Sequence, residues 1–337
     1  MNAKLLRYFV VSMLFTLTSF VGVEKNTRFL ALAEDKGIIC APNGCYTAPR
    51  SPLELTILNP LRGSIRDRQP TFSWFPVEGA TRYTVSLKSG GRLLWQKANI
   101  AGTELAYPQG EDELDFDRDY DLIVEANDPD TTKGKVRFRT MNREELQGIE
   151  REIQSIRDRG LNPDETTLEL AKFYQDKDLI SDAIALLREA VENNTTSIPI
   201  YLELGQLYLK QVESPRLAKP AYEKALQLAQ ALLIKDLVLQ AEAQIGLARV
   251  EFVPKNEDWE EGINHLKNAY NNYTTVGDRE LEAAQVAHFL GEIYYRQENL
   301  NYAIQWYRIA LKSYENLGER ELAIAIEEIL DELRDYL

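Results

Sequence analysis

The chain has 337 residues, 44% of them hydrophobic and 27% charged, and a net charge of −14. That length allows two domains, the composition argues against wholesale disorder, and the acidity argues against a nucleic-acid partner, which needs a basic footprint. The acidity is also uneven. Residues 1–141 hold 18 basic and 17 acidic side chains, whereas residues 142–337 hold 21 and 36, which sets a boundary at Met141.

At the start, Lys4 and Arg7 precede an uncharged run from Tyr8 to Val23, and Ala31-Leu32-Ala33 stands before Glu34. A basic start, a short apolar stretch and a small-x-small site compose a secretory signal peptide, here residues 1–33. The alternative is an uncleaved inner-membrane anchor at 8–23, the only source of membrane contact. The run is shorter than the roughly 20 residues a spanning helix needs. Either way export is expected, to the periplasm or the extracellular space. Residues 34–50 read as a linker. Its two cysteines, Cys40 and Cys45, bracket Ala41-Pro42-Asn43-Gly44; that tight turn brings the thiols together as a local disulfide staple in an oxidising compartment.

From residue 51 to 141 short runs alternate. Phe72 and Trp74 alternate with Thr71 and Ser73, and Tyr83, Val85 and Leu87 with Thr84 and Ser86. Tyr120, Leu122, Val124 and Ala126 do the same, as do Val136 and Phe138. Period two is the pattern of half-buried strands, and Gly79, Gly90-Gly91, Gly110 and Pro129 separate them. About seven short strands predict an antiparallel sandwich. The acidic run from Glu111 to Asp121 invites calcium, but it lacks the EF-hand glycine. Lys133, Lys135, Arg137 and Arg139 on the next strand predict cross-strand ion pairs instead.

Pro70-Thr71-Phe72-Ser73-Trp74, Gly79-Ala80 and Tyr83-x-Val85-x-Leu87 resemble the early strands of a fibronectin type III domain. Leu114 followed by Tyr120 resembles that family's tyrosine corner, which implies a hydroxyl tied back to upstream backbone.

After Asn142 the period changes. Leu146, Ile149, Ile153 and Ile156 share one helical face in a leading helix (142–162), and Gly160 and Pro163 mark its stop and the next start. An internal repeat follows. Leu170-Ala171 and Tyr174 precede Ala183, Leu187 and Ala190; Leu204-Gly205 and Tyr208 precede Ala218, Tyr222 and Ala225. Ile245-Gly246 and Arg249 precede Gly262, Leu266 and Ala269; Leu290-Gly291 and Tyr294 precede Ala303, Tyr307 and Ala310. Small residues let paired helices approach while the tyrosines fill the space between turns. Val276-Gly277-Asp278-Arg279-Glu280 is copied as Leu317-Gly318-Glu319-Arg320-Glu321.

These features resemble the tetratricopeptide repeat (TPR) family. The fold expected is therefore multidomain: an all-β sandwich, then an all-α solenoid of four helix pairs at 163–321 and a capping helix at 322–337. The capping helix has Leu322, Ile326, Ile329 and Leu333 on one face. The resemblance implies a non-catalytic scaffold whose concave face, lined by each pair's first helix, binds a peptide or partner helix. Leu202, Gln206 and Leu209, then Gln240, Ala243 and Leu247, then Gln285, His288, Glu292 and Tyr295 are the groove candidates. They recur three and four apart, so each set shares a face. The set lacks the Lys, Arg and Asn ladder of carboxylate-clamping relatives, so an apolar or amide-rich segment fits better.

No cofactor or metal is expected. His265 and His288 stand alone, and no phosphate loop, Gly-x-Ser-x-Gly elbow or His-Glu-x-x-His pattern is present. Two alternatives remain. One is a cell-wall or polysaccharide-binding sandwich with Trp95 and Tyr107 as platforms and the repeats as spacer; the other is an enzyme with an unrecognised site.

Overall fold

The computed structural model describes residues 55–127, 132–232, 236–252 and 259–334, with the backbone of 38–41 and 44–47. The signal segment lies outside the described residues. Strands β1 (Ile38–Ala41) and β2 (Gly44–Thr47) pair antiparallel with Cys40 opposite Cys45; the side chains of the proposed staple also lie outside the description. No described helix is long and apolar enough to cross a membrane. Two compact units are present: Arg50–Ser214 is one, and Pro215–Leu337 belongs to the other.

The first unit begins with two sheets. Strands β3 (Ile57–Asn59), β5 (Phe72–Trp74) and β8 (Glu104–Leu105) form one, in the order β3-β5-β8. Strands β4 (Gly63–Ile65), β6 (Tyr83–Ser89), β7 (Arg92–Ile100), β9 (Asp119–Ala126) and β10 (Lys133–Thr140) form the other, in the order β4-β10-β9-β6-β7. All pairs are antiparallel except β4 with β10. The alternating side chains of both sheets meet in one core, including Phe72, Trp74, Val85, Leu87, Tyr120, Leu122 and Phe138. The Asp115 N–H donates to the Tyr120 hydroxyl at 2.8 Å, the tie that the tyrosine-corner resemblance implies. The acidic run is met by cations: Asp121 by Arg137 at 3.0 Å, Asp117 by Arg139 at 2.8 Å, Glu111 by Lys97 at 2.9 Å. Pairing with Arg137, helped by Lys135, holds the Asp121 carboxyl below its usual range.

The unit runs past Met141. Helices α1 (Arg143–Arg157) and α2 (Pro163–Asp176) start at capping boxes, Asn142 with Glu145 and Asn162 with Glu165. Each box satisfies two otherwise orphaned backbone donors. Helices α3 (Ile180–Glu192) and α4 (Ile198–Lys210) follow. The turn between α2 and α3 docks on β4: the Ser64 N–H donates to the Asp178 carbonyl at 3.0 Å, and the Leu61 N–H to the Ser181 hydroxyl at 2.8 Å. Arg66 Nε donates to Asp182 Oδ1 at 2.9 Å, and its guanidinium lies 5.0 Å from the Tyr174 ring centre. At Gly63, with φ of 122°, an added Cβ would stand 2.5 Å from the Asp178 carbonyl oxygen. The charge boundary at 141 is thus crossed by direct contacts, and the sheets pack with α1–α4 in one compact body.

In the second unit, α5 (Pro215–Ala231), α6 (Leu237–Glu251), α7 (Glu260–Val276), α8 (Glu280–Arg296), α9 (Leu300–Leu317) and α10 (Arg320–Arg334) pack each against the next. Small residues meet rings, within a helix pair at Gly291 and between successive pairs at Gly246. A Cβ on Gly291 would stand 2.7 Å from the Tyr307 ring, and Gly246 abuts Tyr222 of the preceding helix. The copied turns are helix ends: Gly277 and Gly318 take φ of 81° and 75° and terminate α7 and α9, a left-handed position that favours glycine. In α10 the buried face holds Leu322, Ile326, Leu330 and Leu333; Ile329, expected there, is half-buried because Leu330 takes the inner position.

Gly63→Ala should destabilise the protein by about 3 kcal/mol or more, since it adds both backbone strain and a collision with a carbonyl. Gly277→Ala, with open space around its Cβ, should lose only about 1 kcal/mol. Urea unfolding of the two variants checks this; equal losses would refute the close approach at Gly63.

Candidate functional site

The ten groove candidates separate by exposure. Leu209, Gln240, Ala243, Leu247 and Gln285 are buried, whereas Leu202, Gln206, His288, Glu292 and Tyr295 are half-buried. In the first unit, Leu202, Gln206 and Leu209 lie along α4. Beside them Gln175 of α2 donates to Glu203 of α4 at 2.7 Å, linking the first helices of successive pairs. In the second unit α6 is buried almost all round from Gln240 to Val250. The Gln240 amide donates to the Ala229 carbonyl at 3.3 Å, and Gln244 accepts from Asn272 at 3.2 Å. These side chains satisfy neighbouring helices.

Helix α8 brings three candidates together. His288 and Glu292 sit one turn apart with Nε2 and Oε1 separated by 3.6 Å, and they keep 12% and 19% of their side-chain surface open. Tyr295 follows on the same face. Behind them are two rings that the groove reading omits: Tyr307 and Tyr314 of α9, with centres 5.9 and 6.2 Å from the imidazole. Their seven-residue spacing marks one face of α9 and is the signal that could have found them. His288 Nε2 is buried and makes no hydrogen bond among the described residues. Burial lowers the His288 pKa to about 4 and raises that of Glu292 to about 7, with Arg296 opposing the latter shift. Burial disfavours both charged forms, so between about pH 4 and pH 7 the pair is an uncharged carboxyl beside an uncharged imidazole.

A second polar group lies where α6, α7 and α8 meet. Burial raises the Glu242 pKa, with Asp236 adding to it and Arg279 opposing it. The Tyr273 hydroxyl is held far above its ordinary range by burial, then by Glu242 and Glu282. Arg279 donates to Glu282 at 3.0 Å. The Arg279–Glu282 bond is local to the start of α8, and Glu242 and Tyr273 feel these charges only electrostatically. Elsewhere His265 Nε2 stands 3.8 Å from Glu261, and burial lowers its pKa. Among the described residues no group of three or more His, Cys, Asp or Glu side chains is placed to hold a metal ion.

Of Trp95 and Tyr107, the platforms a glycan-binding sandwich would need, Trp95 belongs to the core and Tyr107 packs against its edge. Trp95 is 6% exposed, with its ring 5.5 Å from Phe72, and Tyr107 is half-buried with its hydroxyl donating to the Asp112 carbonyl. Trp95 presents no open face, whereas Tyr107 keeps part of its surface exposed.

The α8 pair has a testable titration. A raised acid pKa removes stability as pH climbs from 4.5 to about 7, because the unfolded chain ionises first. A lowered imidazole pKa removes stability as pH falls from 6.5 to about 4. In the folded pair one proton resides on Glu292 across that range; in the unfolded chain one resides on His288 over most of it. The two counts nearly match, so the pair's own pH dependence cancels. Relative to the parent, Glu292→Gln should gain stability as pH rises from 4 to 6.5. His288→Gln should gain as pH falls from 7 to 4.5, each by about 3 kcal/mol. Urea unfolding at a series of pH values checks this; parallel curves for all three proteins would contradict it.

No protein-family model matches the chain, and no curated protein matches it. Several solved structures are similar at low identity. BtubC (BKLC) from P. vanneervenii is 19% identical over 56% of this chain and 89% of that one, with a TM-score of 0.43. MamA is 19% identical over 52% of this chain and 87% of that one, with a TM-score of 0.36. YrrB, a TPR protein with an unusual peptide-binding site, is 18% identical over 55% and 86%, with a TM-score of 0.36.

Proposed function

We propose that this protein is a non-catalytic interaction scaffold of the TPR type acting outside the cytoplasm, with a fibronectin type III-like sandwich ahead of the repeats and α10 as the cap. The observation that carries the reading is the partial opening of the first-helix faces. Most of each helix is closed by small-residue and tyrosine contacts, yet Leu202 and Gln206 on α4 and His288, Glu292 and Tyr295 on α8 keep part of their surface open. Leucine with glutamine on α4, and tyrosine with an uncharged carboxyl on α8, each complement an apolar or amide-rich segment better than a basic one. The export reading is supported by Lys4, Arg7, the apolar run 8–23 and Ala31-Leu32-Ala33.

The test uses the mature chain as bait against exported proteins of the source cell, beside a Gln206→Ala/Tyr295→Ala variant of unchanged circular dichroism. Loss of the captured protein in the variant is expected, at about tenfold or more in affinity for two contact side chains. Equal capture by both baits would remove the first-helix faces from recognition. N-terminal sequencing of the secreted material should begin at Glu34; a chain retained in the membrane with Lys4 intact would replace secretion with anchoring.

A further inference from the structure

Between β4, β10, α1 and the α2–α3 turn lies a cleft of about 450 Å³, lined among others by Ser64, Met141, Gly148, Ile149, Arg151 and Lys177. It lies wholly within the Arg50–Ser214 unit. Its size suits one or two amino-acid residues, and small-ligand sites commonly form where sheet and helix layers meet. Its apolar lining is supplied by Met141 and Ile149, both largely buried. Gly148 leaves it open: a Cβ there would meet nothing within 4 Å.

The charges around the cleft are unequal in what they already do. Arg139 is occupied by Asp117 at 2.8 Å and Glu145 at 2.9 Å, and Glu145 also accepts from the Asn142 N–H at the start of α1. Arg151 donates only to the Gln147 carbonyl at 3.2 Å, and the Lys177 ammonium lies 5.9 Å from the Phe173 ring centre. Neither makes an ion pair among the described residues, although Glu145 and Glu152 line the same cleft. In a chain of net charge −14, two uncommitted cations beside this apolar lining form a local exception to the prevailing charge. Glu152 on the same rim supplies an acceptor for an N–H.

We propose that this cleft binds a small ligand combining a carboxylate with an apolar body and an amide, the chemistry of a peptide's C-terminal residue. Arg151 and Lys177 take the carboxylate, Met141 and Ile149 the side chain, and Glu152 the amide N–H. A guanidinium offers paired donors to a carboxylate and an ammonium adds a mobile point charge. This site is separate from the first-helix faces.

The test titrates the full chain with N-acetyl-leucine, N-acetyl-leucinamide and inorganic phosphate, followed by calorimetry. The acid is expected to bind at least tenfold more tightly than its amide or than phosphate. Arg151→Ala/Lys177→Ala should abolish that preference. Gly148→Leu should abolish binding by filling the cleft while leaving the fold intact, since leucine is the better helix residue. Tyr295→Ala should leave the titration unchanged, which separates this site from the faces of α4 and α8. Equal affinity for acid and amide, phosphate binding as tight as the acid, no binding of any probe, or full retention in either variant would overturn the proposal.

Discussion

The close approach of β4 to the turn between α2 and α3 is the constraint on which the first unit depends. A backbone carbonyl can reach a sheet edge only where no side chain intervenes, and Gly63 supplies that gap opposite Asp178. With the approach made, Ser64 and Leu61 donate to the turn and Arg66 falls beside Asp182 and Tyr174. Two inter-element hydrogen bonds contribute about 1 kcal/mol each, more than the few tenths expected from each exposed cross-strand pair on β9 and β10. The charges along those strands keep the surface balanced, whereas the docking of helix on strand organises the unit. It also covers the outer edge of β4, a row of backbone groups that would otherwise invite pairing with another chain.

The second unit solves a different problem with the same device. Antiparallel helices approach closely where Gly291 faces Tyr307 and Gly246 faces Tyr222, so each ring occupies volume that a methyl group would contest. Close packing leaves few places for polar side chains, and those present settle in pairs. His288 lies against Tyr307 and Tyr314 with Glu292 one turn away, and between about pH 4 and pH 7 burial favours the uncharged form of both, against the opposing charge of Arg296. Packing thereby sets the chemistry of this part of α8: hydrogen-bonding capacity without net charge. The mixed-charge cleft beside α1 offers the opposite, uncommitted cations beside an apolar lining.

Much of the local structure was legible in the residues. Period two located β5, β6, β9 and β10; Gly160 with Pro163, and the copied Gly277 and Gly318 turns, located helix ends. Those signals are local, because a strand's alternation and a helix's left-handed terminus are decided within a few residues. Features that depend on distant contacts were not legible. Gly63 reads as a turn glycine until Asp178 is placed against it. The charge shift at Met141 marks where carboxylates become abundant, not where contacts cease. Periodicity tells which residues share a face of α6, but not that Gln240, Ala243 and Leu247 are covered. Alternation on β7 is weak, with Leu93 and Leu94 both exposed, so Trp95 gave no sign that it turns into the core.

Native-state hydrogen exchange under mild denaturant tests the central claim most directly, namely that the sheets and the first helices are one cooperative body joined at Gly63. The slowest amides of β10, β9, α2 and α3 should merge into a single opening as denaturant rises, with one free energy and one dependence on denaturant. Loss of protection in α2 and α3 at lower denaturant, while β9 and β10 stay closed, would contradict the account and make the helices an independent domain.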